Sequence, residues 1–206
     1  MKYYFRALLV SAPIFLAVPT LASADCQADF KALMDAHLKA GPYHSSTVNT
    51  VGDKVSKIES DVVLPDRFHL KSGPDETYQE SIFTETGAWN YVSKGTWSPI
   101  SAPMAAKALA VFKTGLSGGF QNITGLVCLG EQPIEGKSLI TYGFDNPIAS
   151  MTSGKSVNYH IKLFEGANHL PAIITADTLV GTLHVTATQH ITYDPSITVS
   201  PPKLNE

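Results

Sequence analysis

The chain has 206 residues, of which 15 are Lys or Arg and 18 are Asp or Glu, and 44% of its residues are hydrophobic. This length and apolar content suit one globular domain with a core of its own. A slightly acidic chain without a basic run lacks the charge that nucleic-acid binding requires, so we expect no nucleic-acid partner.

Residues 1–24 have the three parts of a secretory signal peptide. Lys2 and Arg6 precede the apolar run ALLVSAPIFLAVPTLA, and Ala22-Ser23-Ala24 supplies small residues for cleavage. The run is short for a membrane span, which needs about 20 apolar residues, and no later stretch is long and apolar enough. We predict cleavage after Ala24, export to the periplasm, and a mature chain with 13 basic and 18 acidic residues, a formal charge of −5.

Two cysteines, Cys26 and Cys128, remain after this cleavage. In an oxidising compartment an even count favours a disulfide, and only one pairing is possible. The bridge would close a loop of about 100 residues and stabilise the fold by roughly 3–5 kcal/mol. The alternative is a pair of free thiols with a metal or redox role, which neither a CxxC motif nor a nearby histidine cluster supports. We predict the disulfide.

The first predicted element is a helix over Ala28 to Ala40, which Gly41-Pro42 ends. One face of this helix carries mostly apolar residues at the spacing i, i+3, i+4, i+7 and i+8, namely Phe30, Leu33, Met34, His37 and Leu38. A single histidine on such a face is more often packed and hydrogen-bonded than a ligand. We therefore predict that His37 belongs to the core.

Strand patterns follow from Tyr43 to Lys71, with a turn at Gly52-Asp53. Proline is confined to strand edges, bulges and starts, so Pro65-Asp66 predicts that a new strand begins at Arg67. A strand over Thr77–Thr86 then returns through Gly87 as a hairpin with Trp89–Val92. A short strand at Thr96-Trp97 and Pro99 close this part of the sheet.

The second predicted helix covers Ala102 to Gly115, with Ser101 as N-cap and Pro103 in the first turn. Its predicted apolar face consists of Met104, Ala105, Ala108, Val111 and Phe112. Five further strands are predicted over Thr124–Leu129, Lys137–Phe144, Val157–Phe164, Ala172–Thr178 and Leu183–Tyr193. The last alternates apolar and polar residues with period two, which indicates an antiparallel strand with one buried face.

About nine strands and two short helices predict an α+β, mainly β fold. One antiparallel sheet must curl to cover its apolar face, with the helices plugging or lidding the curved side. We expect a single domain over residues 25–200, a flexible tail over residues 201–206, and a monomer.

Catalytic signatures are scarce in the sequence: it contains no HExxH, P-loop or GxGxxG motif. Its GxSxG match, GLSGG at residues 115–119, directly follows a predicted helix, whereas the catalytic form of this motif joins a strand to a helix. His184 and His190 share one strand but lie about 20 Å apart, too far to hold one metal ion. A metal site would need His160 to join one of them from another strand; solvated histidines on a polar face are the favoured interpretation. We predict no enzyme activity, no cofactor and no metal site.

The candidate binding residues are charged or aromatic. Arg67, the single arginine of the mature chain, could hold a ligand's carboxylate or phosphate at the mouth of an apolar cavity, or latch a lid. The favoured alternative is a salt bridge to Asp66 or Glu80 on the exterior. The aromatic residues Trp89, Tyr91 and Trp97 could line a pocket for an apolar ligand or anchor the hairpin in the core.

The order of these elements is similar to that of a known superfamily. A signal peptide and helix lead to PDRFHL, then to the hairpin ETGAWNYVSKGTWSP, a middle helix, GANHLPAIITAD and HVTATQHITYDPSITVSPP. The chain resembles the LolA/LppX-like superfamily of periplasmic and cell-envelope proteins. The resemblance implies an unclosed antiparallel half-barrel whose helices lid its hollow. It also places Arg67 where lipoprotein carriers have an arginine that holds the closed lid.

The resemblance implies a function in binding. We expect a non-enzymatic periplasmic binding or carrier protein for a lipid, a lipoprotein acyl chain or another apolar ligand. The alternative is a cell-envelope protein–protein interaction or sensor module with a filled core. The candidate ligand-binding residues are Arg67, Phe68, Trp89, Tyr91, Trp97, Met104 and Phe112.

Overall fold

The computed structural model of the protein describes residues 22–73, 77–92, 95–149 and 156–204. The predicted signal peptide therefore lies outside the described residues, apart from its last three. The described residues form two α-helices, α1 (Ala22–Lys39) and α2 (Ala102–Thr114), and a 3₁₀ turn (Leu116–Gly118) that follows α2. None of the described helices is long and apolar enough to cross a membrane.

The rest of the described chain forms one sheet of eleven strands. The strands are β1 (Tyr43–Val51), β2 (Lys54–Val63), β3 (Arg67–Ser72), β4 (Gln79–Thr84), β5 (Gly87–Val92), β6 (Ser98–Pro99), β7 (Thr124–Ile134), β8 (Lys137–Ala149), β9 (Ser156–Glu165), β10 (Pro171–Val180) and β11 (Leu183–Tyr193). Their order in the sheet is β6-β5-β4-β3-β2-β1-β11-β10-β9-β8-β7. Every neighbouring pair is antiparallel, and the edge strands β6 and β7 are not paired with each other. The sheet is unclosed, as predicted.

The two faces of the sheet have different roles because successive side chains point to opposite sides of a strand. We call the face covered by the helices the inner face. On it Phe68 lies opposite Phe83 in the next strand, which lies opposite Ala88 in β5. These residues belong to the buried core, together with core residues of β8 to β11 such as Tyr142 and Leu163. The opposite face is called the outer face.

Helix α1 is fixed to the sheet by burial and by a covalent bond. Phe30, Leu33 and Met34 are buried in the core, and the Phe30 ring meets the Tyr142 ring edge to face at 5.6 Å between centroids. A disulfide joins Cys26 of this helix to Cys128 of β7, so the predicted pairing is confirmed. The bridge is typical of proteins of an oxidising compartment.

Helix α2 is held more lightly. No residue of α2 is fully buried; its half-buried residues Ala105, Ala108, Leu109 and Phe112 pack against the core. The helix contacts β5 on one side and β8 on the other, strands that lie far apart in the sheet order. It therefore crosses the concave side of the curved sheet, as the predicted lid does.

Several predicted boundaries differ from the structure. Helix α1 begins at Ala22, six residues before the predicted start, since Ala-rich sequence continues the helix to and beyond the disulfide. Strands β7 and β8 extend to Ile134 and Ala149. Gly130 and Pro133 argue against a strand, but β7 is an edge strand with a bulge between Cys128 and Gly130, where both residues are tolerated. The two-residue strand β6 follows Trp97 and does not include it.

Candidate functional site

A cavity of about 170 Å³, partly open to solvent, lies between the inner face of the central strands and the C-terminal end of α2. Strands β1, β2, β3 and β11 form its floor, and α2 with the 3₁₀ turn forms its roof. Nine residues line it: Tyr43, Ser45, Ser60, Val62, Leu70, Phe112, Leu116, Ser117 and Gln189. Among these nine described residues there is no carboxylate, histidine, lysine, arginine or cysteine.

The cavity exists because the side chains at its floor are small. Ser45 of β1 lies directly opposite Ser60 of β2, and both residues are buried on the inner face. The next inner pair, Tyr43 and Val62, is larger and closes that end. Because interiors otherwise pack without gaps, two facing serines below a helix leave room that larger residues would fill. Their hydroxyls are also polar groups that a ligand's head can meet.

The roof is an aromatic contact between α2 and the sheet. The Phe112 ring stacks on the Phe68 ring with 4.0 Å between centroids, and Phe68 stacks on Phe83 at 4.4 Å. Phe68 is buried, whereas Phe112 is only partly buried. Aromatic pairs contribute about 0.5–1.5 kcal/mol beyond the burial of their surface. The Phe112–Phe68 stack is thus a specific but modest contact that holds α2 in its closed position.

The C-terminal end of α2 is held by hydrogen bonds. The Asn146 side-chain amide donates to the backbone oxygen of Thr114 at 3.3 Å, and the Ser117 hydroxyl donates to the backbone oxygen of Phe112. Asn146 is fully buried, and its Oδ1 has no hydrogen-bond partner among the described residues. A buried carbonyl without a hydrogen bond costs about 1–3 kcal/mol. Asn146 therefore anchors α2 through its NH₂ group while its carbonyl oxygen lacks a hydrogen bond.

His37 of α1 links this helix to the 3₁₀ turn after α2 and to strand β11. Its Nε2 donates to the backbone oxygen of Leu116 at 3.1 Å, because that carbonyl can only accept. Its Nδ1 then accepts from the Tyr193 hydroxyl at 2.8 Å, which fixes the neutral tautomer. Burial lowers the pKa of His37 to about 4. The prediction that His37 is a packed, hydrogen-bonded residue is confirmed.

The structure divides the predicted ligand-binding residues between the two faces of the sheet. It brings Phe68 and Phe112 into contact, and of these two only Phe112 lines the cavity. Trp89 lies opposite Ile82, which lies opposite His69, and this row is on the outer face. The sequence suggested that Trp89 of the AWNYV run anchors the hairpin core, but the core residue opposite Phe83 is Ala88.

Three other predicted residues also lie away from the cavity. The Tyr91 ring, on the outer face, contacts the Trp97 ring at 5.4 Å and the Tyr78 ring at 5.9 Å. Met104 is 63% exposed because the apolar face of α2 is rotated from the predicted one. The observed face includes Leu109, which was not predicted, in place of Met104.

Arg67 begins β3, as predicted, and lies on the outer face because its neighbour Phe68 points inward. The predicted salt bridge is wrong: in the described part of the chain no ion pair joins Arg67 to Asp66 or Glu80. Glu80 is bound instead by His69, with 2.7 Å between Nε2 and the carboxylate. The Nε of Arg67 and the Oδ1 of Asp66 are buried without a hydrogen-bond partner within the described residues.

The floor residues of the cavity were not predicted as site residues. Ser45 lies two residues from Tyr43 in β1, and Gln189 lies two residues from Ile191 in β11, so all four side chains point to the inner face. The alternation of side chains along each strand is therefore enough to predict that Ser45 and Gln189 face inward. The position of α2 above these residues does not follow from any local pattern.

The remaining histidines pair with carboxylates on the outer face and in the loops. His160 contacts Asp145, and His190 contacts Glu135 at 2.8 Å. His184 lies 3.9 Å from Asp177. Within the described ranges, no three potential metal ligands form a group.

Comparisons with known proteins identify the fold. No protein-family model and no curated protein matches the sequence. The structure is similar to that of LprF from Mycobacterium bovis, with 13% identity, a TM-score of 0.57, and coverage of 89% of this chain and 99% of that one. It is also similar to Mycobacterium tuberculosis lipoprotein LppX, with 14% identity, a TM-score of 0.52, and coverage of 86% and 100%. At such identities the likeness shows a shared fold.

Proposed function

Because the chain has the LolA/LppX-like fold, we propose that it is a periplasmic binding or carrier protein for a lipid, a lipoprotein acyl chain or a similar apolar ligand. The observation that carries this proposal is the cavity between the inner face and α2. The predicted signal peptide and the Cys26–Cys128 disulfide support the exported location.

The lining of the cavity supports binding and gives no support to catalysis. Its apolar residues Val62, Leu70, Phe112 and Leu116 suit a hydrocarbon chain. Its only titratable side chain is Tyr43, whose pKa is raised by burial. The hydroxyls of Ser45 and Ser60 and the amide of Gln189 offer neutral hydrogen bonds to an ester or amide group. A charged group would lose its hydration there without a partner, so we expect an uncharged bound portion.

The size of the cavity implies that α2 moves when a ligand binds. Pockets for small molecules usually measure about 300–1,000 Å³, whereas this one measures about 170 Å³. The floor is a hydrogen-bonded sheet, so the roof is the part that can give way. When α2 moves outward, the Phe112–Phe68 stack breaks. No residue of α2 is fully buried, so the movement takes none of its side chains out of a fully buried position.

The connection after α2 is suited to act as a hinge. Gly115 and Gly119 flank the 3₁₀ turn, and Gly119 has a φ of 74°. A Cβ atom on Gly118 would collide with the Lys113 backbone oxygen. Glycine is therefore required at this turn, and it also gives the backbone freedom to change conformation there.

Native mass spectrometry of the mature chain, purified without detergent, tests the proposal. We expect a population that carries a bound acyl-chain species, released by organic extraction and identified by its fragment masses. A sample that is entirely free of apolar ligand, and that takes up none when mixed with phospholipid or fatty acid, would contradict the carrier function. That result would favour the interaction module with a filled core.

A further inference from the structure

Six large hydrophobic side chains are exposed together at one end of the sheet. They belong to the β1–β2 hairpin, which turns at Gly52-Asp53, and to the β10–β11 hairpin, which turns at Gly181-Thr182. We call these two ends the hairpin tips. The exposed residues are Val48, Val51, Val55, Leu179, Val180 and Leu183, with Val55 and Leu179 exposed by 69% and 67%.

The two tips are adjacent, and their exposed apolar residues lie on both sides of the sheet end: Val51, Val180 and Leu183 on the inner side, and Val48, Val55 and Leu179 on the outer side. Strand β1 pairs with β11, so the hairpins are neighbours in the sheet. The Gly52 amide donates to the His184 backbone oxygen at 3.2 Å, and the Leu183 side chain lies within contact distance of a Cβ placed on Gly52. Contiguous exposed apolar patches mark interaction sites, whereas apolar residues scattered singly over a surface are ordinary.

The inner half of the patch, Val51, Val180 and Leu183, is continuous with the inner face above it. Along β1 the inward residues change from buried Tyr43 and Ser45 to exposed Val51. Along β11 they change from buried Ile191 through half-buried Gln189 to exposed Leu183. The inner side of β1 and β11 therefore becomes more exposed from the floor of the cavity towards the hairpin tips.

Aromatic residues surround the same end of the sheet. Connections between antiparallel strands alternate between the two ends, so the β3–β4 and β5–β6 connections lie at the end of the tips. These connections carry Tyr78 and Trp97, whose rings both contact Tyr91. The Lys71 amine lies 4.3 Å from the centre of the Tyr78 ring. Tyrosine, tryptophan and lysine are the residues that prefer the boundary between lipid and water.

Charge does not explain the patch. Asp53 and Lys54 are neighbours in one tip, and His184 lies close to Asp177 beside the other. Opposite charges side by side give little net attraction for an anionic surface. The feature that the tips present is apolar, and apolar residues at a membrane surface bind by entering the boundary between headgroups and acyl chains.

We propose that the hairpin tips dock on a lipid bilayer and insert their valine and leucine side chains into its interface. Docked in this way, the open end of the inner face meets the membrane, and an apolar chain can pass between the bilayer and the cavity. The docking stands on the exposed tips alone. The passage of a ligand rests on the proposed function.

Flotation with phosphatidylcholine vesicles tests the docking. The mature chain should float with these neutral vesicles, and 0.5 M salt should change the bound fraction by no more than about twofold, because the vesicle surface has no net charge to be screened. The double variant Leu179→Asp/Leu183→Asp should bind at least about tenfold more weakly, since two apolar side chains lose their transfer into lipid.

The charge-matched control is Val127→Asp/Leu129→Asp, which places two carboxylates on exposed residues of the edge strand β7, four strands from β11 in the sheet. This control should bind vesicles like the unmodified chain, and thermal unfolding should show that both variants are folded. Equal binding by the tip variant and the unmodified chain would overturn the proposal, as would failure of the unmodified chain to bind vesicles, or equal losses in both variants.

The outcome is distinguishable from that of the proposed function. A chain that floats through its tips but carries no apolar ligand in native mass spectrometry would retain the docking surface and lose the carrier role. A chain that carries a ligand but ignores vesicles, with or without intact tips, would retain the carrier role and lose the docking surface.

Discussion

At His37 one imidazole joins three parts of the fold: the α1 helix, the turn after α2 and the last strand. Its ring also packs against the rings of Tyr43 and Tyr193. Protonation of Nδ1 would put a donor against the Tyr193 hydroxyl and a charge in an apolar environment. The position is therefore sensitive to acid because of burial and geometry together.

The pKa of His37 predicts how the stability contributed by this residue changes with pH. The folded pKa of about 4 lies below the ordinary value of 6.5, so the unfolded chain binds the proton first. The stability is complete above about pH 6.5 and falls as the pH decreases towards 4. Between pH 7.5 and 4.5 we expect the unmodified chain to lose roughly 2–3 kcal/mol relative to His37→Gln, measured by urea unfolding.

The comparison with His37→Gln is needed because other groups titrate in the same range. His44 has a raised pKa, mainly through its hydrogen bond to Asp61, so the stability it contributes changes in the opposite direction. These groups are present in both proteins and cancel in the difference. A difference in unfolding free energy that is the same at both pH values would contradict the account of His37.

At the scale of elements, the two helices are held by different means. Helix α1 buries Phe30, Leu33 and Met34 and is tied to β7 by the disulfide. Helix α2 has no fully buried residue and depends on a few contacts near its C-terminal end. Local opening is expected where few apolar residues are buried. The element that covers the cavity is therefore the one that opens most easily.

Hydrogen exchange gives a direct test of this contrast. In the ligand-free chain, backbone amides in the middle of α2 should exchange at least about tenfold faster than those over residues 30–38 of α1, at equal pH and corrected for sequence. Adding a bound acyl chain should slow exchange in α2 and leave α1 unchanged. Equal protection of the two helices, before and after ligand is added, would show that α2 is not a moving cover.

The sequence was informative where a pattern is local. The alternation of Leu183–Tyr193 gave the bounds of β11, and Pro65 marked the strand start at Arg67. Local patterns failed where either of the two alternating sets of side chains in a strand could face the core. In β5 the large residue Trp89 invited an inward assignment, but Phe83, Phe68 and Phe112 already occupy that space and Ala88 fits beneath them.

At the scale of the whole molecule, the cavity depends on contacts between residues that are far apart in the chain. It requires Ser45 to meet Ser60, Gln189 to lie beside them, and Phe112 to cover them. The curvature that brings β5 and β8 under one helix results from eleven strands pairing in order. A search for binding residues by type alone selects tryptophans and an arginine, whereas the floor consists of serines, a glutamine and aliphatic residues.

If an apolar ligand occupies the cavity beneath α2, a variant that fills the cavity should lose binding. In Ser60→Trp an indole enters the floor; Thr192→Trp, on the exposed outer side of β11, is the matched control. Because overpacking typically costs about 1–3 kcal/mol, thermal unfolding must first show that Ser60→Trp folds, and Ser60→Leu provides a milder variant.

The measurement is the affinity of each protein for a fluorescent polyene fatty acid, by titration at pH 7.5. Occupancy of the cavity predicts binding by the unmodified chain and by Thr192→Trp, weaker binding by Ser60→Leu, and at least about a tenfold loss in Ser60→Trp. Equal affinities in the folded Ser60→Trp and Thr192→Trp proteins would contradict it and would place any ligand outside the cavity.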